Sequence, residues 1–252
     1  MMSWPYPALI AHRGAGRLAP ENTLAAMRVA AAMGMAAVEY DVKLSRDGVP
    51  VLLHDDTLQR TSDGRGGAGG FDFRELALLD FGSWHSPAYA GEPIPTLHAI
   101  AAFTRANGLA SNIEIKPQPG REEDTGRQVA LAALALWDGA RVPPLLSSFS
   151  ETALEAAMRA VPALPRALLL DDLPPADWAS RAARLGCIAI HVDGRHATSE
   201  LVQAVHGQGY KIAAWTVNTP EQARQLLQWG CDAIFTDAID TLPRALQGLA
   251  PT

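Results

Sequence analysis

Apolar positions along the chain gather into short continuous runs at 8–12, 37–42, 50–54, 112–116, 144–148, 166–170, 187–192, 210–216 and 232–236. Runs this short, with little polar alternation, are the pattern of strands buried on both faces. Between them lie stretches of helical spacing, at 22–33, 96–107, 125–137, 150–160, 176–185, 198–208 and 219–229. One junction recurs. "AMGMAAVEYD", "RLGCIAIHVD" and "QWGCDAIFTD" each set a glycine after an apolar residue, then a strand, then an aspartate seven positions beyond the glycine (Gly34 and Asp41, Gly186 and Asp193, Gly230 and Asp237). "ANGLASNIEIKP" is a looser fourth case, with Gly108 ahead of Glu114 and Lys116. Glycine after a helix is the left-handed C-cap signal, and the series predicts βα units around a parallel sheet.

Nine runs are one too many for a closed parallel barrel. The second and third are joined only by "KLSRDGVP". A parallel crossover needs about a dozen residues, so these two form a hairpin turning at Asp47–Gly48. Setting the return strand aside leaves eight, which predicts an α/β fold, a (β/α)8 TIM barrel. The chain is expected to form a single domain over 1–252. Residues 55–95 break the repeat and are rich in Gly, Asp and aromatics, so they are expected to be a small insertion packed over one end of the barrel. Within it, Phe81, Trp84 and Tyr89 are expected to hold the insertion down.

Composition narrows the function classes. Lys and Arg number 21 against 27 Asp and Glu, a formal charge of −6. Nucleic acid and anionic membranes favour clustered cations, so neither is expected as a main partner. A small anionic substrate stays open, because a metal or a few local cations can outweigh net charge. The N-terminal "MMSWPYPALIAHRG" has no basic segment followed by a long apolar one, so no signal peptide is expected. No run reaches the roughly 18 apolar residues of a membrane span. Cys187 and Cys231 are not in a CxxC pair and read as reduced core thiols of a cytoplasmic protein.

In barrels of this kind chemistry sits at the C-terminal ends of the strands. The first tip carries His12 and Arg13, followed by a glycine turn. In "VEYDV" the two-residue spacing puts Glu39 and Asp41 on one strand face, and in "NIEIKP" it does the same for Glu114 and Lys116. The hairpin returns His54 to the level of Asp41. Three carboxylates crowded together repel one another, and a divalent cation removes the conflict. Oxygen ligands without cysteine favour Mg²⁺ or Ca²⁺ over Zn²⁺. A cation with Arg13 and Lys116 suits a phosphate, and two histidines are natural proton carriers near neutral pH. Those parts are what phosphodiester hydrolysis needs.

"AHRG", "PENT", "VEYDVKLSRDGVPVLLHDDTLQRT", "NIEIKP", "SSF", "AAWTVN" and "FTD", spread over residues 11–237, resemble the glycerophosphodiester phosphodiesterase family. "LLSSF", "LGCIAIH" and "TDAID" look most like its short cytosolic bacterial form associated with glycerol-phosphate uptake. The resemblance implies His12 and His54 as an acid–base pair, and Glu39, Asp41 and Glu114 as ligands of one divalent cation. It implies Arg13 and Lys116 as phosphate contacts and Trp215 as an aromatic near the glycerol. The implied reaction releases sn-glycerol 3-phosphate and an alcohol from diesters such as glycerophosphocholine or glycerophosphoethanolamine. A lysophospholipase D-like enzyme with the same site and a non-catalytic glycerophosphodiester-binding protein are the rival readings. His191 and Asp193 repeat the two-residue spacing but are left outside the site. Glu21 and Asn22 begin a helix, which Asn22 is expected to cap; the alternative is that they position His12 or Arg13.

Overall fold

The computed structural model describes residues 4–246, so the ends of the domain expected over 1–252 lie outside them. Among these residues nine strands form: β1 (Leu9–Ala11), β2 (Ala37–Leu44), β3 (Pro50–Leu52), β4 (Ala110–Ile115), β5 (Leu145–Ser148), β6 (Arg166–Leu170), β7 (Ala189–Asp193), β8 (Lys211–Trp215) and β9 (Ala233–Thr236). All strands but β3 pair in parallel, in the order β1, β2, β4, β5, β6, β7, β8, β9, and β9 returns to β1 to close a TIM barrel. β3 runs antiparallel to the far half of β2, with Val42 opposite Leu52, as the hairpin requires. The helices are α1 (Leu24–Ala32), α2 (Phe73–Leu76), α3 (Leu97–Ala106), α4 (Glu122–Leu136), α5 (Glu151–Ala160), α6 (Trp178–Arg184), α7 (Ser199–Gly207), α8 (Pro220–Gln228) and α9 (Leu242–Ala245). None of them is long and apolar enough to cross a membrane.

Local signals explain the boundaries. Gly34, Gly108, Gly186 and Gly230 follow α1, α3, α6 and α8 with φ of 77°, 66°, 58° and 95°, so the repeat read from the sequence is a series of left-handed caps. Thr23, Thr96, Ser150, Thr198 and Thr219 accept a backbone N–H at the starts of α1, α3, α5, α7 and α8. Thr23 therefore takes the cap expected of Asn22. α4 begins at Glu122, earlier than its apolar spacing suggested, because Glu122, Glu123 and Asp124 suit the positive end of a helix.

Strand tilt shifts the height of neighbouring strands by about one residue, so inward side chains at one height come from alternate strands. The registers place Glu39, Ser147, His191 and Phe235 in one layer of the interior. His12, Glu114, Leu169 and Trp215 lie above it, toward the strand C-termini. Ile10, Asn112, Ala167 and Ala213 lie below, and Trp4 and Tyr6 pack across the N-terminal end.

Residues 55–95 follow β3 and build their own apolar cluster on it, with Leu58, Leu76, Phe81 and Ile94 packed around Val51 and Leu53. Tyr89 ties the segment to the β1–α1 loop by donating to the Leu18 carbonyl at 3.3 Å, and Glu92 accepts from the Ala25 N–H at 2.9 Å. Phe81 is buried there, but Trp84 is half-exposed and donates only within the segment, to the Phe81 carbonyl. It is no anchor. The two cysteines are buried and free.

Candidate active site

β2 supplies one row of inward polar side chains, Glu39, Asp41 and Lys43, at the strand's two-residue period. β4 lies beside it in parallel register, with Glu114 next to Asp41. One oxygen each from Glu39, Asp41 and Glu114 falls within 4.8 Å of the others, and all three side chains are buried. Lys116 Nζ donates to Glu114 Oε1 at 2.7 Å and stands 3.8 Å from Asp41 Oδ1. Asn22 grips Asp41 twice, donating through Nδ2 to Oδ2 at 2.8 Å and accepting the Asp41 N–H at 3.0 Å.

The "HRGAG" turn explains itself in this setting. Arg13 and Gly14 both take positive φ, which turns the Arg13 N–H onto Glu39 Oε2 at 2.9 Å. The Arg13 guanidinium donates to Glu21 at 2.8 Å and lies 3.6 Å from Asp41. A Cβ on Gly16 would lie 2.2 Å from the Asp237 Cα, so only glycine lets the loop cross the end of β9 there. Gly16→Ala is expected to lower stability by about 2 kcal/mol, read as a lower Tm, and to reduce turnover through Asp237. A Tm equal to wild type would refute the close approach.

Each histidine is held by a carboxylate. His12 Nδ1 lies 2.7 Å from Asp237 Oδ1, and Asn218 in turn donates to Asp237 Oδ2 at 3.0 Å. His54 Nδ1 lies 2.7 Å from Asp55 Oδ1, and Arg60 bridges Asp55 and Glu21. A carboxylate can only accept, so Nδ1 carries the proton in both rings and Nε2 is free to act. The Leu53 N–H bonds the Asp41 carbonyl at 3.2 Å, which sets His54 at the level of the carboxylates. Lys43, buried within the fold, donates to the Asp55 carbonyl at 2.6 Å and to Asp56 at 3.0 Å, pinning the loop that carries His54.

Electrostatics divide the three carboxyls. Burial, then the charges of Asp41 and Glu114, push the Glu39 carboxyl well above the usual carboxylate range. Burial and Asp41 push Glu114 up to about 7. Burial pushes Asp41 the same way, but Arg13, Lys116, His54 and the Asn22 hydrogen bond outweigh it and hold Asp41 low. The arrangement is short of positive charge for three carboxylates. Glu39 Oε1 is also buried without a hydrogen-bond partner among the described residues. Hard oxygen donors, a charge deficit and a partnerless ligand atom fit a divalent cation.

These groups ring one cleft of about 920 Å³. His12, Arg13, Glu39, His54, Glu114, Lys116 and Trp215 line it, and Asp41 sits just behind its wall. Phe149 packs edge-on against Trp215, with ring centroids 5.5 Å apart, and Lys116 Nζ lies 5.2 Å from its ring. The sequence reading brought all eight candidates to this mouth. It missed Asp237, Asn218, Asp55 and Lys43 and placed Asn22 on the wrong duty. Lys43 was within reach, since it continues the Glu39–Asp41 spacing. It also left out His191, which lines the same cleft.

A sequence model of the glycerophosphoryl diester phosphodiesterase family matches residues 12–241. A glycerophosphodiester phosphodiesterase of Caldanaerobacter subterraneus subsp. tengcongensis is 33% identical over 238 residues, covering 93% of this chain and 95% of the relative. A phosphodiesterase of Oleispira antarctica, solved in complex with the product sn-glycerol-3-phosphate, is 35% identical with a TM-score of 0.90, covering 96% of this chain and 98% of that one. A glycerophosphodiester phosphodiesterase of Agrobacterium tumefaciens is 27% identical with a TM-score of 0.79, covering 94% of this chain and 98% of that one.

Proposed function

Because the chain belongs to the glycerophosphoryl diester phosphodiesterase family, we propose that its cleft hydrolyses glycerophosphodiesters to sn-glycerol 3-phosphate and an alcohol, with His12 and His54 as the proton-transfer pair. The observation that carries this reading is the convergence of three carboxylate oxygens within 4.8 Å, two cations and two carboxylate-held histidines on one cleft. Glycerophosphocholine and glycerophosphoethanolamine are the proposed substrates.

Glu39, Asp41 and Glu114 would hold the divalent cation, Mg²⁺ or Ca²⁺. Bound there, it would neutralise charge on the phosphate oxygens. Arg13 and Lys116 reach the same phosphate and fix its orientation. One histidine Nε2 takes a proton from the attacking group, either water itself or the free glycerol hydroxyl, in which case water then opens the cyclic phosphate to give sn-glycerol 3-phosphate. The other histidine, protonated, delivers a proton to the oxygen of the departing alcohol, so the bond to that oxygen breaks as the new P–O bond forms. Asp237 and Asp55 keep each ring in the tautomer that presents Nε2 to the cleft. Trp215 and Phe149 wall the glycerol side. Two buried free thiols suit a reducing compartment and support the cytoplasm as the place of action.

The test is release of sn-glycerol 3-phosphate from a panel of glycerophosphodiesters with Mg²⁺ or Ca²⁺ supplied. No product from any member would overturn the proposal. A positioning role for Asp237 has its own signature. Asp237→Asn is expected to lower kcat by about 10²-fold with little change in KM, because the amide can present the wrong partner to Nδ1. A matching rise in KM would point to a structural role instead.

A further inference from the structure

The segment at 55–95 also reaches the site. It contributes Arg60, which does not line the cleft but holds two carboxylates that flank it. The Arg60 guanidinium donates through Nε to Asp55 Oδ2 at 2.7 Å and through Nη2 to Asp55 Oδ1 at 2.9 Å. Its other edge donates through Nη1 to Glu21 Oε2 at 2.6 Å and through Nη2 to Glu21 Oε1 at 2.7 Å. Asp55 Oδ1 also lies 2.7 Å from His54 Nδ1, and Glu21 Oε1 accepts from Arg13 Nη1 at 2.8 Å. One planar cation therefore links His54 to Arg13 through a carboxylate on each side.

The two histidines differ in what holds their carboxylates. Asp237 directly follows β9, and Asn218 binds both its side chain and its N–H. Asp55 sits on a loop beyond β3. Lys43 fixes its carbonyl, but its carboxylate bonds only Arg60 and His54 among the described residues. On the other side, Glu21 holds Arg13 by Nη1 alone, and Arg13 Nε is buried without a hydrogen-bond partner, unspent for an anion. Both carboxylates are held ionised. Arg60 and His54 keep Asp55 well below the usual carboxylate range, and at Glu21 burial, which would raise the carboxyl, is outweighed by Arg60 and Arg13. The base of Arg60 is itself fixed, because Leu58 is buried in the segment's apolar cluster and Ser62 Oγ donates to the Leu58 carbonyl at 2.7 Å. A guanidinium offers two bidentate edges at a set angle, whereas an ammonium is a point charge that sets none.

We propose that Arg60 is a positioning residue of the reaction, whose two-edged grip on Asp55 and Glu21 sets His54 and Arg13 at one fixed separation. This rests on the reading of the cleft as a glycerophosphodiester hydrolase. It makes phosphate binding and proton transfer parts of one frame, so that a phosphate held by Arg13 arrives where His54 Nε2 can serve it. It also gives the segment at 55–95 a role in the chemistry beyond packing on β3. Arg60 is 43% exposed, so its ion pairs contribute little to global stability and their effect is read in kinetics.

The test is Arg60→Lys, which keeps the charge and loses the paired edges. With Mg²⁺ present it is expected to lower kcat for glycerophosphocholine by about 10²-fold, through His54, and to raise KM by about tenfold, through Arg13. The Tm should stay within a few degrees of wild type, and Arg60→Gln takes its place if melting curves show that Arg60→Lys is not folded. In an Asp55→Asn background the same substitution should cost kcat no more than about threefold, and in a Glu21→Gln background it should raise KM no more than about twofold, because the group that passes on each effect is already altered. Wild-type kcat and KM in Arg60→Lys would overturn the proposal, as would an undiminished cost in both backgrounds. Calorimetry with sn-glycerol 3-phosphate and Mg²⁺ reads the Arg13 side without turnover. Arg60→Lys should bind about tenfold more weakly there, and equal affinity would overturn that side of the frame. If the wild-type protein hydrolysed no glycerophosphodiester, the enzymatic reading would fall, and the loss of affinity in Arg60→Lys would still support the link from Arg60 to Arg13.

Discussion

His12→Ala and His54→Ala are each expected to lower kcat for glycerophosphocholine hydrolysis by about 10³-fold. The two rings serve different protons, one leaving the nucleophile and one reaching the alcohol, so neither replaces the other. Both are partly solvent-accessible, with side chains 20% and 29% exposed, and each spends its Nδ1 on a carboxylate rather than on the core. Truncation should therefore leave the Tm within a few degrees of wild type while removing turnover. KM should move little, because Arg13, Lys116 and the carboxylate cluster still bind the phosphate. Turnover near the wild-type rate in either variant would end the acid–base assignment. A large fall in Tm would make that histidine a structural residue.

Removing the divalent cation with a chelator is expected to abolish turnover, with recovery on adding back Mg²⁺ or Ca²⁺. It should also change how stability depends on pH. The Glu114 carboxyl is raised from 4.5 to about 7 by burial and by Asp41, and Glu39 moves in the same direction. The folded chain then holds a proton that the unfolded chain has already released. For such a group the stabilisation is present below about pH 4.5 and is lost as pH rises through about 7, by an amount of order 3 kcal/mol for Glu114. Chelated protein should accordingly melt lower at pH 8 than at pH 5. Bound cation takes the place of the protons and should raise the Tm most at pH 8. In Glu114→Gln the slope between pH 5 and 8 should shrink and the cation should lose most of its effect on Tm. If chelation altered neither turnover nor melting, the three carboxylates would not be a metal site.

The strand and helix pattern was legible because it depends on neighbours in sequence. Each of the nine apolar runs became a strand, and each interval of helical spacing became a helix. The glycine-to-aspartate repeat was legible for the same reason, since a left-handed cap and a strand of set length bring an aspartate to the barrel mouth each time. Asp41, Asp193 and Asp237 are those aspartates, yet they do different work. Asp41 joins the carboxylate cluster, Asp237 holds His12, and Asp193 pairs with Arg195 at 2.6 Å. α2 and α9, four residues each, escaped notice because one helical turn shows no period.

Local chemistry in the sequence determined which side chains reach the mouth, because strand alternation sends every second residue inward and the short "RDG" turn folds His54 back onto β2. Closure of the barrel decided which of them meet. It set Asp237 against His12 across 225 positions of chain, and it drew Asn22 off the helix it precedes and onto Asp41. It also brought the buried His191 into the lining of the cleft. Each of those pairings depends on strand register accumulated around a closed sheet, a sum over every strand that no short stretch of residues carries.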